Sequence, residues 1–328
     1  MQKYPLALGN PDPVFCVVVD VEEEFDWHGP FKQENTNVEA VEYLNLAHTL
    51  LTSLSVKPAY LVTYAVATSP TACRILRDYL ARDTCDIGAQ LHPWVTPPHE
   101  EVKNIRNSYP SNLPVDLARR KLESLIAAIT ENIGCQPRIY KAGRYGLDLA
   151  RVSTLADLGF WVDTSVMPYA DFKDIDGGPD FFGMPDQPFW LTEDRRLLGL
   201  PSTQGIVRPL SELASTKLLR AIFSGIGQTL HLPGILARLG LVERLRLSPE
   251  GFNFEHCRYL IDSNISRGKN NFILSFHIPS LMLGCTPYVQ SPKDLRNFLE
   301  TLYSVSSYLV DKIGAKPISV IDLYKKLH

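Results

Sequence analysis

Short apolar runs alternate along the chain with segments whose apolar residues recur at helical spacing. The run at 14–19 has six apolar residues and is rich in valine, a pattern typical of a strand buried on both faces of a parallel sheet. Comparable runs predict further strands at 58–63, 86–92, 138–141, 160–163, 196–201 and 271–277. The remaining spacing predicts helices near 37–54, 70–81, 114–133, 147–158 and 292–313, and a mostly helical stretch at 208–262. Repeated strand–helix units of this kind indicate parallel strands with helices outside.

Polar side chains stand at the ends of five predicted strands. They are Asp20 with Glu22, Gln90 with His92, Arg144, Asp163 and His277. The carboxyl ends of the strands of an α/β barrel meet on one face, where such enzymes place their chemistry. The repeated units and the polar residue at nearly every strand end therefore favour a barrel with one shared site over an open, doubly wound sheet.

The most informative of these strand ends is the acidic cluster that follows 14–19. Because side chains alternate along a strand, Asp20 and Glu22 are expected to point the same way. Two neighbouring carboxylates are costly unless a divalent metal or a base-and-ligand pair uses them. We interpret Glu23 and Glu24 as part of a solvated acidic loop.

Composition narrows the function class. With 328 residues, 45% of them hydrophobic, and a net charge of −3, the chain has no overall field that would attract nucleic acid or an anionic membrane. No apolar run approaches membrane-spanning length, and the first residues contain no apolar signal core. Six scattered cysteines without a CxxC pair indicate reduced thiols. These features predict a cytoplasmic protein, and the absence of a visible boundary predicts one domain over 1–328.

Four blocks of the chain, at 20–27, 87–94, 142–146 and 275–280, resemble the polysaccharide deacetylases with the NodB-homology fold, also grouped as carbohydrate esterase 4-like. The similarity covers about residues 14–280. It is closest to a subgroup found with lipopolysaccharide and exopolysaccharide synthesis genes, often called WalW-like. The resemblance implies a distorted (β/α)7 TIM-like barrel, here with a long loop and helical insertion near 168–262. The aromatic-rich part of that insertion, 168–192, is expected to form a loop over the mouth of the barrel.

The resemblance also implies an activity, the hydrolysis of an N-acyl group, normally N-acetyl, from an amino sugar. Asp20 matches the catalytic base, and Arg144 matches the arginine that orients and tunes it. His277 matches the general acid, and Asp163 the acidic residue that supports it. Amide hydrolysis needs these parts because water must be activated and the leaving amine must receive a proton.

A divalent metal, most simply Zn²⁺, is part of what the resemblance implies. Glu22 falls where the family has a metal-binding aspartate, and His92 and Asp20 are the other expected ligands. The chain departs from the family here, because Gln90 and Trp94 stand where two histidines four residues apart are usual. We expect substrate contacts from Gln90, Trp94, Tyr145 and Trp27.

Three functions remain open from the sequence. The first is a carbohydrate N-deacetylase acting on an acetamido sugar, either nucleotide-linked or lipid-linked. The second is a glycoside hydrolase that uses Asp20 and Asp163, although it leaves Arg144 and His277 without a role. The third is a metal-free, non-catalytic saccharide-binding protein, suggested by the altered metal block. The sugar, the acyl group (acetyl or formyl) and the oligomeric state are not determined by the sequence.

Overall fold

A computed structural model describes residues 4–5, 12–27, 29–173, 177–209 and 216–328. The predicted loop at 168–192 therefore includes one stretch outside the described residues, 174–176, and the predicted insertion near 168–262 includes two, 174–176 and 210–215. The described strands are β1 (Tyr4–Pro5), β2 (Val14–Val21), β3 (Ala59–Val62), β4 (Asp86–Leu91), β5 (Ile139–Ala142), β6 (Val162–Asp163), β7 (Phe189–Trp190), β8 (Leu198–Gly199), β9 (Gln204–Val207), β10 (Glu243–Arg246), β11 (Asn271–His277) and β12 (Lys316–Pro317).

The described α-helices are α1 (Leu44–Ser53), α2 (Tyr64–Ala67), α3 (Pro70–Ala81), α4 (Val115–Asn132), α5 (Val152–Asp157), α6 (Thr216–Phe223), α7 (Ile226–Thr229), α8 (Leu232–Arg238), α9 (Phe254–Ser266), α10 (Pro292–Ser307) and α11 (Val320–Leu327). Short 3₁₀ helices lie at Glu39–Tyr43, Arg106–Ser108, Pro110–Asn112, Gly143–Tyr145 and Ile278–Leu281, and a π turn at Tyr308–Lys312. Local signals explain several ends. Ser69 caps α3 ahead of Pro70, and Gly134 follows α4 with a φ of +94° that favours glycine.

Seven parallel strands form a curled sheet in the order β8, β6, β5, β4, β3, β2 and β11. β7 and β1 extend the β8 edge antiparallel. Between the β8 and β11 sides, single hydrogen bonds link Thr203 to Ile273 and Leu247 to Ser275. The result is a half-barrel with helices around it, which confirms the predicted distorted TIM-like fold.

The first parallel strand shows how the core leads to the site. All eight residues of β2 are buried. Val17, Val19 and Val21 belong to the large core shared with the surrounding helices, whereas Cys16 and Val18 belong to a smaller core inside the curl. Helix α11 closes the bottom of that inner core through residues such as Leu323. By alternation Asp20 continues the inner series, so its carboxylate lies on top of the apolar interior.

The predicted helical insertion is a β-hairpin that carries helices. β9 and β10 pair antiparallel, and α6, α7 and α8 lie between them in the chain. Across the described ranges, no helix is both long and apolar enough to cross a membrane.

Candidate active site

The polar strand ends predicted from the sequence, apart from Asp163, meet at one cavity on the carboxyl side of the sheet. Its volume is about 290 Å³. Its lining includes Asp20, Glu22, Trp27, Gln90, His92, Tyr109, Lys141, Arg144, Tyr145, Phe172, Arg246, His277 and Tyr288. Strand register brings these side chains together, because Asp20 pairs with His277 across β2 and β11 and Gln90 pairs with Lys141 across β4 and β5.

Asp20 is a buried carboxylate held between two cations. Its side chain is 1% exposed. Oδ2 accepts hydrogen bonds from Lys141 Nζ at 2.5 Å and from His277 Nε2 at 3.1 Å. Burial alone would raise the pKa of Asp20, but Lys141 and His277 together lower it far below its usual value. Asp20 is therefore ionised at neutral pH, as a general base must be.

The cation beside Asp20 is Lys141, not the predicted Arg144. Arg144 donates to Ser108 Oγ at 2.5 Å, and its guanidinium lies 4.2 Å from the ring centre of Tyr109. The backbone explains this placement, because Arg144 and Tyr145 both adopt positive φ, 52° and 60°, and the chain leaves the strand alternation there. Such conformations cost about 1–3 kcal/mol each and are concentrated at functional sites. Arg144 lines the cavity. The residue that lowers the pKa of Asp20, as was expected of Arg144, is Lys141.

His277 is oriented by Glu250, which the sequence analysis did not identify. Nδ1 of His277 donates to Glu250 Oε2 at 2.8 Å, and its backbone N–H donates to Glu250 Oε1 at 3.0 Å. Ser280 Oγ also donates to Glu250, at 2.6 Å. Burial would lower the pKa of His277, but Glu250, Glu22 and Asp20 raise it well above its usual value. A carboxylate at each ring nitrogen stabilises the protonated imidazolium, so His277 can act as an acid.

Asp163, the predicted partner of His277, is bound into a turn instead. It accepts hydrogen bonds from the backbone N–H of Ser165 at 3.0 Å and from its Oγ at 2.7 Å. Burial raises the pKa of Asp163 to about 7, despite these bonds and the charge of Lys141. Asp163 is fully buried and is not among the residues that line the cavity, so Asp20 and Asp163 do not form the carboxylate pair of the glycoside hydrolase considered above.

The raised pKa of Asp163 predicts that the stability of the folded chain depends on pH. In the unfolded chain this carboxyl ionises near pH 4, about three units lower, so the folded state holds its proton more tightly. The free energy of unfolding should therefore fall between about pH 5 and 7 through this group, by roughly 2–3 kcal/mol. Asp163→Asn stays neutral and should lack this component, so denaturant melts at pH 5 and pH 8 should show the variant gaining relative to the native chain. Parallel pH profiles would contradict the assignment.

A second cluster joins Glu22, Glu23, Gln90 and His92 beside Asp20. Gln90 Nε2 donates to Glu22 Oε2 at 3.0 Å and lies 3.1 Å from His92 Nε2. His92 Nδ1 donates to Glu23 Oε1 at 2.7 Å, and although burial lowers the pKa of His92, the charges of Glu23, Glu22 and Asp20 raise it above its usual value. Burial raises the pKa of Glu22 to about 7, against the opposing charges of His277 and His92. Glu23 is fully buried, and its interpretation as part of a solvated loop was therefore wrong.

Backbone packing explains why this cluster is tight. A Cβ on Gly143 would lie 2.6 Å from the ring of His92 and 2.5 Å from the carbonyl oxygen of Leu91. Glycine is therefore required where the end of β5 approaches the imidazole. Glu24, by contrast, accepts from the backbone N–H groups of Glu39 and Ala40, so it holds the following helical turn.

The cavity contains ligand atoms suited to a metal ion. One ligand atom each from Asp20, Glu22 and His277 lies within 4.8 Å of the others. Asp20 Oδ1 and Gln90 Oε1 are buried without a hydrogen-bond partner among the described residues. Buried oxygens normally have a partner, and a cation could supply it. The two carboxylates, both predicted as ligands, therefore fit a divalent metal, but the imidazole in this group is that of His277 and not that of the predicted His92.

Of the predicted substrate contacts, Trp27, Gln90 and Tyr145 line the cavity, but Trp94 does not. Trp94 is 6% exposed and stacks on His92 with a ring separation of 4.2 Å, so it packs behind the site. Trp27 lies 4.9 Å from the His277 ring. Tyr145 lies parallel to Phe172 of the predicted mouth loop, with ring centres 5.8 Å apart, and the two form an aromatic wall.

Comparison with known proteins reveals a likeness in fold. No protein-family model and no curated protein matches the sequence. A solved structure from Mycobacterium smegmatis, provisionally described as a polysaccharide deacetylase, is 15% identical with a TM-score of 0.57 over 100% of this chain and 94% of that one. The structure of Puue allantoinase is 12% identical with a TM-score of 0.55, over 99% and 93% of the two chains. The chain therefore has the curled half-barrel fold that these two structures share.

Proposed function

We propose that this chain is a hydrolase that removes the N-acyl group, normally N-acetyl, from an amino sugar. One observation carries the proposal: an ionised carboxylate, Asp20, and a protonated imidazole, His277, lie 3.1 Å apart on the wall of an open cavity. Each is held by a dedicated buried partner, Lys141 and Glu250 respectively. A binding protein has no use for a base and an acid held in this way, and the deacetylase-like fold agrees with the assignment.

The chemistry follows from this pair, in which Asp20 Oδ1 has no hydrogen-bond partner among the described residues and His277 Nε2 carries the proton that it shares with Asp20 Oδ2. Asp20 Oδ1 accepts a proton from a water that attacks the acyl carbon. The tetrahedral adduct then loses the amine as the carbon–nitrogen bond breaks, and His277 Nε2 gives its proton to that nitrogen. The products are a carboxylic acid and a free amino sugar, so the overall reaction consumes one water. Each proton transfer contributes about 10²–10⁴-fold to the rate.

We also propose that a divalent metal, Zn²⁺, binds beside Asp20. The residues that would hold it are Asp20 and Glu22, which offer carboxylate oxygens within 4.8 Å of each other, and the predicted His92, whose Nε2 lies 3.5 Å from Glu22 Oε2. When bound, such an ion polarises the acyl oxygen and lowers the pKa of water.

The aromatic lining supports a sugar as the substrate. Trp27, Tyr145 and Tyr288 border the cavity, and flat apolar rings pack against the carbon–hydrogen faces of sugars while the polar strand ends contact hydroxyl groups. The finer proposal is a step in lipopolysaccharide or exopolysaccharide assembly on a nucleotide-linked or lipid-linked acetamido sugar.

The test is release of acyl acid from a panel of N-acetyl and N-formyl amino sugars in free, nucleotide-linked and lipid-linked form, with zinc supplied. We expect acid and primary amine to appear in equal amounts from at least one class. Elemental analysis of the same sample should find about one equivalent of zinc. If no panel member releases acid while isothermal titration shows that some bind, the chain is a saccharide-binding protein and the proposal is wrong.

A further inference from the structure

The helical part of the insertion, 216–242, exposes a concentrated apolar surface. Fourteen large hydrophobic side chains are exposed among the described residues, and five of them lie in this short segment. They are Leu218 (48%), Leu230 (57%), Ile235 (49%), Leu239 (64%) and Leu241 (41%), which we call the insertion surface. Isolated exposed hydrophobics are ordinary, but five within one short segment indicate a surface that contacts a partner.

The charge of this segment is one-sided. Residues 216–242 contain Lys217, Arg220 and Arg238 and no aspartate or glutamate, although the whole chain has a net charge of −3. Lys217 and Arg238 are exposed, and each directly precedes an exposed leucine of the insertion surface. Basic residues interleaved with exposed leucines are typical of segments that lie in the interface of an anionic bilayer.

The segment is anchored through its opposite side. Ile222, Phe223 and Val242 are buried in a small core of their own. Arg220 bonds Asp171 at 2.7 Å, which attaches α6 to the loop whose Phe172 lines the catalytic cavity. Leu232 and Leu236 of α8 also pack on that core, so Ile235 and Leu239, which are exposed, lie on a different face of the helix.

We propose that the insertion surface docks on an anionic lipid bilayer. The helices that carry it are short, eight residues in α6 and seven in α8, so they suit burial at the headgroup level and not a crossing of the bilayer. The leucines would enter the acyl boundary, and the lysine and arginine would meet the lipid phosphates. This proposal does not depend on the proposed activity, since docking is measured without a substrate.

The test is co-sedimentation of the intact chain with vesicles of phosphatidylcholine alone or mixed with an equal part of phosphatidylglycerol. We expect binding to the mixed vesicles that weakens as salt is raised. Leu230→Glu with Leu239→Glu should weaken binding at least tenfold. The matched control, Leu46→Glu with Val102→Glu, places the same changes at exposed positions elsewhere and should bind as the native chain does. Lys217→Gln and Arg238→Gln should each weaken binding roughly fivefold.

Thermal melts establish that each variant is folded. The proposal is overturned if the folded native chain does not bind mixed vesicles at low salt, or if the paired glutamate variant binds as tightly as the control. It is also overturned if light scattering shows a native dimer that the paired glutamate variant converts to monomer, because the insertion surface would then belong to a second copy of the chain.

Discussion

Replacing Asp20 with asparagine is expected to reduce kcat by about 10³-fold or more, because the amide cannot accept the proton of the attacking water. The same change removes the carboxylate paired with Lys141, whose side chain is 4% exposed. A buried charge left without its partner costs about 3–5 kcal/mol. The variant should therefore be both inactive and less stable, as measured by steady-state kinetics and denaturant melts.

A double variant separates these two effects. Lys141→Met removes the unpaired ammonium and replaces it with an apolar side chain of similar length, so Asp20→Asn with Lys141→Met should recover much of the lost stability. It should not recover turnover, because the base is still missing. Recovery of activity in the double variant would mean that Asp20 serves only to hold Lys141.

The second large effect is expected at the acid. His277→Gln should lower kcat by about 10²–10⁴-fold, since the glutamine amide cannot give a proton to the leaving nitrogen. Glu250→Gln keeps a hydrogen-bond acceptor for Nδ1 but removes the charge that stabilises the imidazolium, so we expect an intermediate loss of roughly 10–100-fold in kcat with little change in KM.

Asp163→Asn is the matched control for Glu250→Gln. Both changes convert a buried acid into its amide, but only Glu250 contacts the His277 ring. The Asp163 variant should therefore keep native turnover. If Asp163→Asn lost activity and Glu250→Gln did not, the partner predicted from the sequence would be correct and the one assigned from the hydrogen bonds would be wrong.

The contrast between Asp163 and Glu250 shows where sequence reasoning succeeds. Asp20, Glu22, Gln90, His92 and His277 could be placed together because they end parallel strands, and the carboxyl ends of such strands meet by construction. Glu250 lies beyond the end of β10, in the stretch 208–262, which the sequence predicts only as mostly helical. Hydrophobic periodicity does not predict that a loop residue lies next to a strand end. The position of Glu250 beside His277 is therefore visible only in the folded structure.

The exchange of Arg144 for Lys141 has a different cause. Lys141 lies within β5 and pairs in register with Gln90, so alternation directs it toward the same cavity. The alternation of β5 therefore predicts Lys141 at the cavity, whereas the family resemblance indicates Arg144, three residues later. The positive φ of Arg144 ends the alternation there. Glu23 lies two residues beyond Val21, where β2 ends. Strand alternation therefore does not predict which way its side chain points.

The most direct test of the central claim is hydrolysis of the best panel substrate in water enriched in oxygen-18. If Asp20 activates water for attack on the acyl carbon, each released acid should contain one labelled oxygen, an equal amount of primary amine should form, and Asp20→Asn should yield neither. Release of unlabelled acid, or undiminished labelling by the Asp20 variant, would contradict the proposed hydrolysis.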